Sequence, residues 1–178
     1  MLPLEWRVGD YTFRVVEKFP QAEYLPLVKE NLGEPWNWEE LLSAEDLAKH
    51  EALSAARPKA YPLRLGVWRE AEFVACTFGR HTEESTFSMS LSIVSAKHRR
   101  QGIYSEMLRY VIAFTKQAGF QRIISRHRAT NNAVIIPKLK AGFQITGLEL
   151  DIRMGTLVSL NYFHEAAVRK ELDRRAGI

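Results

Sequence analysis

Cysteine is nearly absent from this chain of 178 residues. Cys76 stands alone, so no disulfide can close within the chain, and a reducing, cytoplasmic setting is the expectation. No apolar run is long enough to cross a bilayer. The opening MLPLEWRVGD lacks a basic stretch followed by an apolar one, so no secretory signal is expected. The histidines His50, His81, His98, His127 and His164 are scattered without zinc spacing, and Cys76 has no second thiol to join it. A metal site is therefore not expected. Neither G-x-x-x-x-G-K-[ST], G-x-G-x-x-G nor G-x-S-x-G occurs. Those gaps remove the P-loop, the dinucleotide fingerprint and the nucleophile elbow. Internal repeats and low-complexity stretches are missing too.

What is present fits one globular domain spanning 1–178, with 46% hydrophobic and 26% charged residues. The net charge of +4 suits a polyanionic ligand, with nucleic acid as the rival. Tyr11–Val16 reads as a strand and Gln21–Leu32 as a helix, with Pro26 expected in its first turn. Asn37–Ala55 reads as one helix capped by Asn37, and Trp36 and Trp38 read as packing residues beside Glu39 and Glu40. Arg57–Ala60 is a linker. Strands follow at 63–67 and 72–78, then a polar loop at 79–85. Three consecutive strands with short joins make an antiparallel meander.

The stretch Phe87–Phe120 organises the rest. Phe87, Met89, Leu91 and Ile93 alternate with Ser88, Ser90 and Ser92, which predicts a strand with the apolar set on one side. A basic turn, His98-Arg99-Arg100-Gln101-Gly102, leads into a helix from Ile103, ended near Gly119. A helix start exposes free N–H groups and a partial positive charge. Cations there oppose the dipole, so the turn calls for an anion such as a phosphate. The plain alternative is a solvated charge run. Downstream come a strand at 121–127, expected parallel to the Phe87 strand, a short helix at 131–141, a hairpin of 143–151 and 156–162 turning at Arg153-Met154-Gly155, and a basic helix at 164–175.

The order Val94…Arg99-Arg100-Gln101-Gly102-Ile103-Tyr104, with Asn131 and then Gly142-Phe143 eleven residues later, resembles the GNAT superfamily of N-acetyltransferases. The resemblance covers about 86–151. It implies an α/β fold: a mixed, mostly antiparallel sheet with one parallel junction and helices on both faces. It implies acetyl-CoA as acyl donor, held by Val94, Arg99, Arg100, Gln101, Gly102, Ile103, Tyr104, Ser105 and Asn131. The Phe87 strand would splay from its neighbour, and the Val94 N–H would polarise the thioester carbonyl. Asn131 also reads as a helix N-cap. Two positions depart from the family pattern. Tyr104 stands where Gly or Ala is usual, so its ring either turns away from the pyrophosphate or covers it. Lys138 stands where the family often has a tyrosine acting as general acid.

The catalytic candidates are His127, as a base with a near-neutral imidazole, and Lys138, as the acid. Their plain alternatives are a surface histidine and an exposed helix lysine, and for Lys138 exposure is the expectation. The expected activity is transfer of an acetyl group to a primary amine by direct attack. A CoA-binding sensor without turnover is the second reading, and nucleic-acid binding through the basic turn and the last helix the third. Turnover with any amine separates the first two; a salt-sensitive shift with duplex DNA would support the last. The acceptor, small molecule or peptide, stays open, as does a homodimer.

Overall fold

The computed structural model describes residues 1–33, 38–55, 61–152 and 154–177. Eight strands form one sheet: β1 Glu5–Val8, β2 Tyr11–Val15, β3 Pro62–Arg69, β4 Glu72–His81, β5 Thr86–Val94, β6 Arg122–Arg128, β7 Gln144–Asp151 and β8 Gly155–Phe163. Their order is β1-β2-β3-β4-β5-β6-β8-β7. Every pairing is antiparallel except β5 with β6. The helices are α1 Gln21–Leu32, α2 Ala44–Ala55, α3 Ile103–Gln117, α4 Asn132–Lys140 and α5 Ala166–Ala176. This is the mixed, mostly antiparallel α/β sheet with one parallel junction.

Two apolar clusters lie on the two faces of the sheet. On one, Ile103, Met107 and Val111 of α3 and Ile135 of α4 pack over Leu63, Leu65, Phe87, Met89 and Ile123. On the other, Leu27, Tyr24 and Val28 of α1 pack over Phe73, Cys76, Phe78, Leu91 and Ile93. The expected one-sided set on β5 is therefore split, with Phe87 and Met89 facing α3 and Leu91 and Ile93 facing α1. The cause is a bulge. Phe78 pairs with Leu91 and Gly79 with Met89, leaving Ser90 without a partner. An extra residue in one strand reverses the faces of everything after it.

Other differences have local causes. β1 was not expected; it pairs with β2, and its Trp6 ring stacks on Phe13 and Tyr110. β4 runs to His81, so the polar loop is shorter than 79–85. Pro26 lies past the first turn of α1, and the helix continues through it. The expected helix from Asn37 is two pieces, a 3-10 turn at Trp38–Leu41 and α2. Ser43 starts α2, accepting from the Asp46 N–H at 3.1 Å, as a helix cap does. Trp36, Asn37, the 57–60 linker and Arg153 lie outside the described residues, as does the Trp38 side chain.

Candidate active site

β5 and β6 pair over only three rungs, Thr86 with Arg122, Phe87 with Ile123 and Ser88 with Ile124. Beyond Ser88 the strands separate, and the rest of β5 has a partner on the β4 side alone. Backbone groups past the fork therefore have no strand partner on that edge. The Ser95 N–H donates to the Val74 carbonyl at 2.9 Å. Groups alternate sides along a strand, so Val94 turns its N–H and C=O to the open edge.

The basic turn stands at the far end of this opening. Its basic residues do not act alike. His98 is buried, with Nδ1 3.1 Å from the Tyr11 hydroxyl and Nε2 3.5 Å from Glu72. The same hydroxyl donates to Gln101 Oε1, so Tyr11 ties both residues down. His98 is thus a structural part of the turn, not one of its exposed charges. Arg99 donates from Nε to the Val94 carbonyl at 3.2 Å and from Nη2 to Asn31 Oδ1 at 2.8 Å. Glu30 accepts from the Ala96 N–H at 3.0 Å. The last turn of α1 therefore braces the turn that precedes α3. Arg100 is exposed, with φ of +63°.

Gly102 is the N-cap of α3, with φ of +80° and no side-chain cap. The left-handed conformation suits glycine, and a Cβ there would meet nothing within 4 Å. The first N–H groups of α3, at Ile103, Tyr104 and Ser105, have no acceptor within the helix. An uncapped helix end with an exposed arginine fits the tail of a polyanionic donor. Tyr104 turns away from it. Its ring packs against the α3-side core, and its hydroxyl is buried with no partner among the described residues. Burial raises its pKa well above the usual phenol value.

At the fork stands Lys138. It is fully buried, contrary to the expected exposure. Its Nζ donates to Ser125 Oγ at 2.6 Å, lies 3.3 Å from Met89 Sδ and sits 4.6 Å from the Phe143 ring centre. Met89 and Ser125 are the residues just past the last shared rung, one on each strand. The lysine is a wedge where β5 and β6 part. Burial holds its pKa down to about 7, because a charge in an apolar setting is penalised.

Ser125 Oγ also lies 3.2 Å from His127 Nε2. With Lys138 donating to Ser125, the serine proton is free to go to His127. The near-neutral imidazole expected from sequence is not found. Burial first, and the Lys138 charge second, press its pKa down to about 3. The structure thus brings His127 and Lys138 together through Ser125, a residue not singled out in the sequence. The signal was there: Ile123, Ser125 and His127 alternate onto one face of β6. Asn131 does occupy the N-cap of α4, and its carbonyl accepts from the Val134 and Ile135 N–H groups. Its side chain makes no cap bond.

Comparison with known proteins agrees with this geometry. The structure is similar to the ribosomal-protein-S5-alanine acetyltransferase from Vibrio fischeri, with a TM-score of 0.69 and 12% identity over 92% of this chain and 98% of that one. It is similar to the ribosomal-protein-S18-alanine N-acetyltransferase from Escherichia coli, at 0.66 and 13% over 86% and 93%. A Bacillus subtilis acetyltransferase in complex with CoA matches at 0.62 and 13% over 86% and 98%. Such identities establish the fold alone. No curated protein sequence matches the chain. The model of the acetyltransferase (GNAT) family matches residues 23–143, more than half of the chain. The chain belongs to the GNAT acetyltransferase family, whose acyl donor is acetyl-CoA.

Proposed function

We propose that the protein is an N-acetyltransferase that moves an acetyl group from acetyl-CoA to a primary amine by direct attack. The observation that supports this most is the fork: β5 leaves β6 after Ser88, so its backbone edge opens beside the uncapped start of α3. Acetyl-CoA supplies an activated acyl group on a polyanionic nucleotide tail. Arg99, Arg100, Gln101 and Gly102, with the N–H groups of Ile103, Tyr104 and Ser105, hold that tail; Asn131 flanks it from α4. The Val94 N–H donates to the oxygen on which charge builds during transfer.

Lys138 handles the proton that the departing sulfur requires. A lysine at about 7 is populated in both protonation states near neutral pH, which suits an acid at that pH. His127 stays neutral and accepts from Ser125, keeping the oxygen lone pairs of that hydroxyl turned towards the lysine. In this reading the imidazole does not titrate during turnover.

An acceptor screen that follows release of free thiol tests the proposal, alongside a thermal shift series with acetyl-CoA, CoA and ATP. The expected outcome is a rise in Tm with both CoA species and thiol release with at least one amine. Stabilisation by CoA without turnover on any amine would leave the sensor reading in its place.

A further inference from the structure

The α1 face of the sheet carries a second opening, away from the α3 turn. A cleft of about 310 Å³ is lined by Lys18, Phe19, Gln21, Tyr24, Arg64 and Phe78. That volume is at the lower end for small-molecule sites, roughly 300–1,000 Å³. Its walls are aromatic and its charged members are both cations. The Arg64 guanidinium lies 5.1 Å from the Phe78 ring centre, which fixes its plane and leaves its edge for a carboxylate or phosphate. Lys18 is exposed at the rim. Among the described residues no carboxylate forms an ion pair with Lys18 or Arg64. Glu17 and Glu23, close by in sequence, are exposed and do not pair with them.

The cleft and the donor turn are at opposite ends of α1. Glu30 and Asn31 in its last turn brace the α3 turn, whereas Gln21 and Tyr24 line the cleft. A helix of this length separates them by ~15 Å at a rise of ~1.5 Å per residue, so the cleft is not part of the donor's phosphate site. Across the sheet it lies level with the open half of β5. Arg64 pairs with Phe78, and Phe78 with Leu91 of β5. Two residues along β4, Arg80 pairs with Ser88, the last rung before the strands part. Alternation places Arg80 on the Phe78 face; it is exposed and, among the described residues, also without an ion pair. Cations thus run from the cleft to the fork across two strand spacings, ~10 Å.

We propose that this cleft receives an anionic group of the acceptor, a carboxylate or phosphate on an aromatic or apolar body, about 10 Å from the amine that takes the acetyl group. The inference rests on the acetyltransferase reading of the fork. Arg64 supplies a planar two-point contact, Lys18 closes the rim, and Phe19, Tyr24 and Phe78 cover the apolar body. Arg80 favours the approach of the same charge to the fork.

Two measurements test it. The first is binding by calorimetry of N-acetylphenylalanine, its neutral amide and phenyl phosphate, none of which has a free amine. The carboxylate or the phosphate should bind, the amide should not, and Arg64→Gln or Lys18→Gln should weaken binding about tenfold or more. Whichever anion binds more tightly identifies the group. Lys18 is exposed, so its variant stays informative if Arg64→Gln disturbs the fold. The second is kinetics on amine pairs that differ by one carboxylate. The acidic member should have the lower KM; Arg64→Gln should abolish that advantage, and Arg80→Gln, which affects only the approach, should reduce it. No binding of either anion at 10 mM, with acetyl-CoA still raising Tm, would overturn the cleft proposal alone. Loss of the acetyl-CoA response would overturn the reading on which it rests.

Discussion

Arg99 and Lys138 stand at opposite ends of the open half of β5, and the chain treats them in opposite ways. Arg99 stays at the surface and is held by the Val94 carbonyl and Asn31. A guanidinium keeps its charge at every working pH. Lys138 is sealed between the strands, with a hydroxyl, a thioether and a ring around its Nζ, and burial brings its titration near neutrality. One end offers permanent charge and free N–H groups, which suit binding a polyanion. The other offers a cation that can give up its proton, which suits chemistry. The division of labour proposed for them follows from side-chain chemistry and solvent access together: a guanidinium at the surface holds its charge, and an amine sealed from water gives its proton up more readily.

The sharpest way to break the binding end is Gly102→Asp. It adds a carboxylate where N–H groups converge and forces a side chain into the left-handed region, a strain of order 1–3 kcal/mol. Calorimetry with acetyl-CoA should show affinity reduced by ~100-fold or more, the combined loss of several contacts to a charged group. Circular dichroism should be unchanged, because a Cβ at this position meets nothing. Normal affinity would mean the donor tail is held elsewhere.

At the dry end the larger effect should be on rate. Lys138→Ala should lower turnover by ~10²-fold or more, in the range for loss of a positioned acid, with acetyl-CoA affinity little changed. Lys138→Met fills the space without the charge and separates chemistry from packing. It should be as slow as the alanine variant but more stable. The pH dependence carries the proof. In the fold the lysine titrates at about 7 and in the unfolded chain near ~10.4. Between those values the unfolded state binds more protons, so stability rises with pH. The contribution is complete above ~10.4 and is lost as pH falls towards 7. Urea unfolding at a series of pH values should show this slope in the difference between wild type and Lys138→Met. Taking the difference cancels Cys76, whose thiol burial pushes up to about 12, and Tyr104.

Much of this was legible in the sequence. The helix limits 21–32 are those of α1, and the order strand, basic turn, Gly102, helix gave α3 its start at Ile103. Such features are local: a cap, a glycine, an apolar period. What was not legible depends on partners distant in the chain. The bulge at Ser90 exists only against β4, so the alternation of β5 looked unbroken. His98 looked like one more surface charge because Tyr11, 87 residues away, buries it. Lys138 looked exposed because α4 has little amphipathic pattern, with Pro137 beside it, and because the groups around its amine, from Ser125, Met89 and Phe143, lie outside α4. The pairing of His127 with Lys138 needed the serine between them, which only the β6 alternation could have suggested.

The finest test of the contrast removes that serine. Ser125 Oγ is the oxygen acceptor for the Lys138 ammonium, at 2.6 Å. An acceptor of that kind favours the charged form of the lysine. Ser125→Ala leaves the amine with Met89 Sδ and the Phe143 ring, which compensate less well, so its pKa should fall below that of the wild type. A lysine acting as acid loses its effect as pH rises through its pKa, so the alkaline limb of the pH–rate profile should move to lower pH, by less than about one unit. Maximum turnover on the acidic side of that limb should change little, since the lysine there is protonated in both proteins. His127 gives the control. Its imidazole, pressed to about 3, is neutral across the working range, so His127→Gln should leave the limb near its wild-type position. It should remove instead the loss of stability expected of the wild type as pH falls from ~6.5 towards 3, where the unfolded chain takes up the proton that the buried imidazole refuses. A limb that moved with His127 and not with Ser125 would transfer the titrating role from the lysine to the histidine.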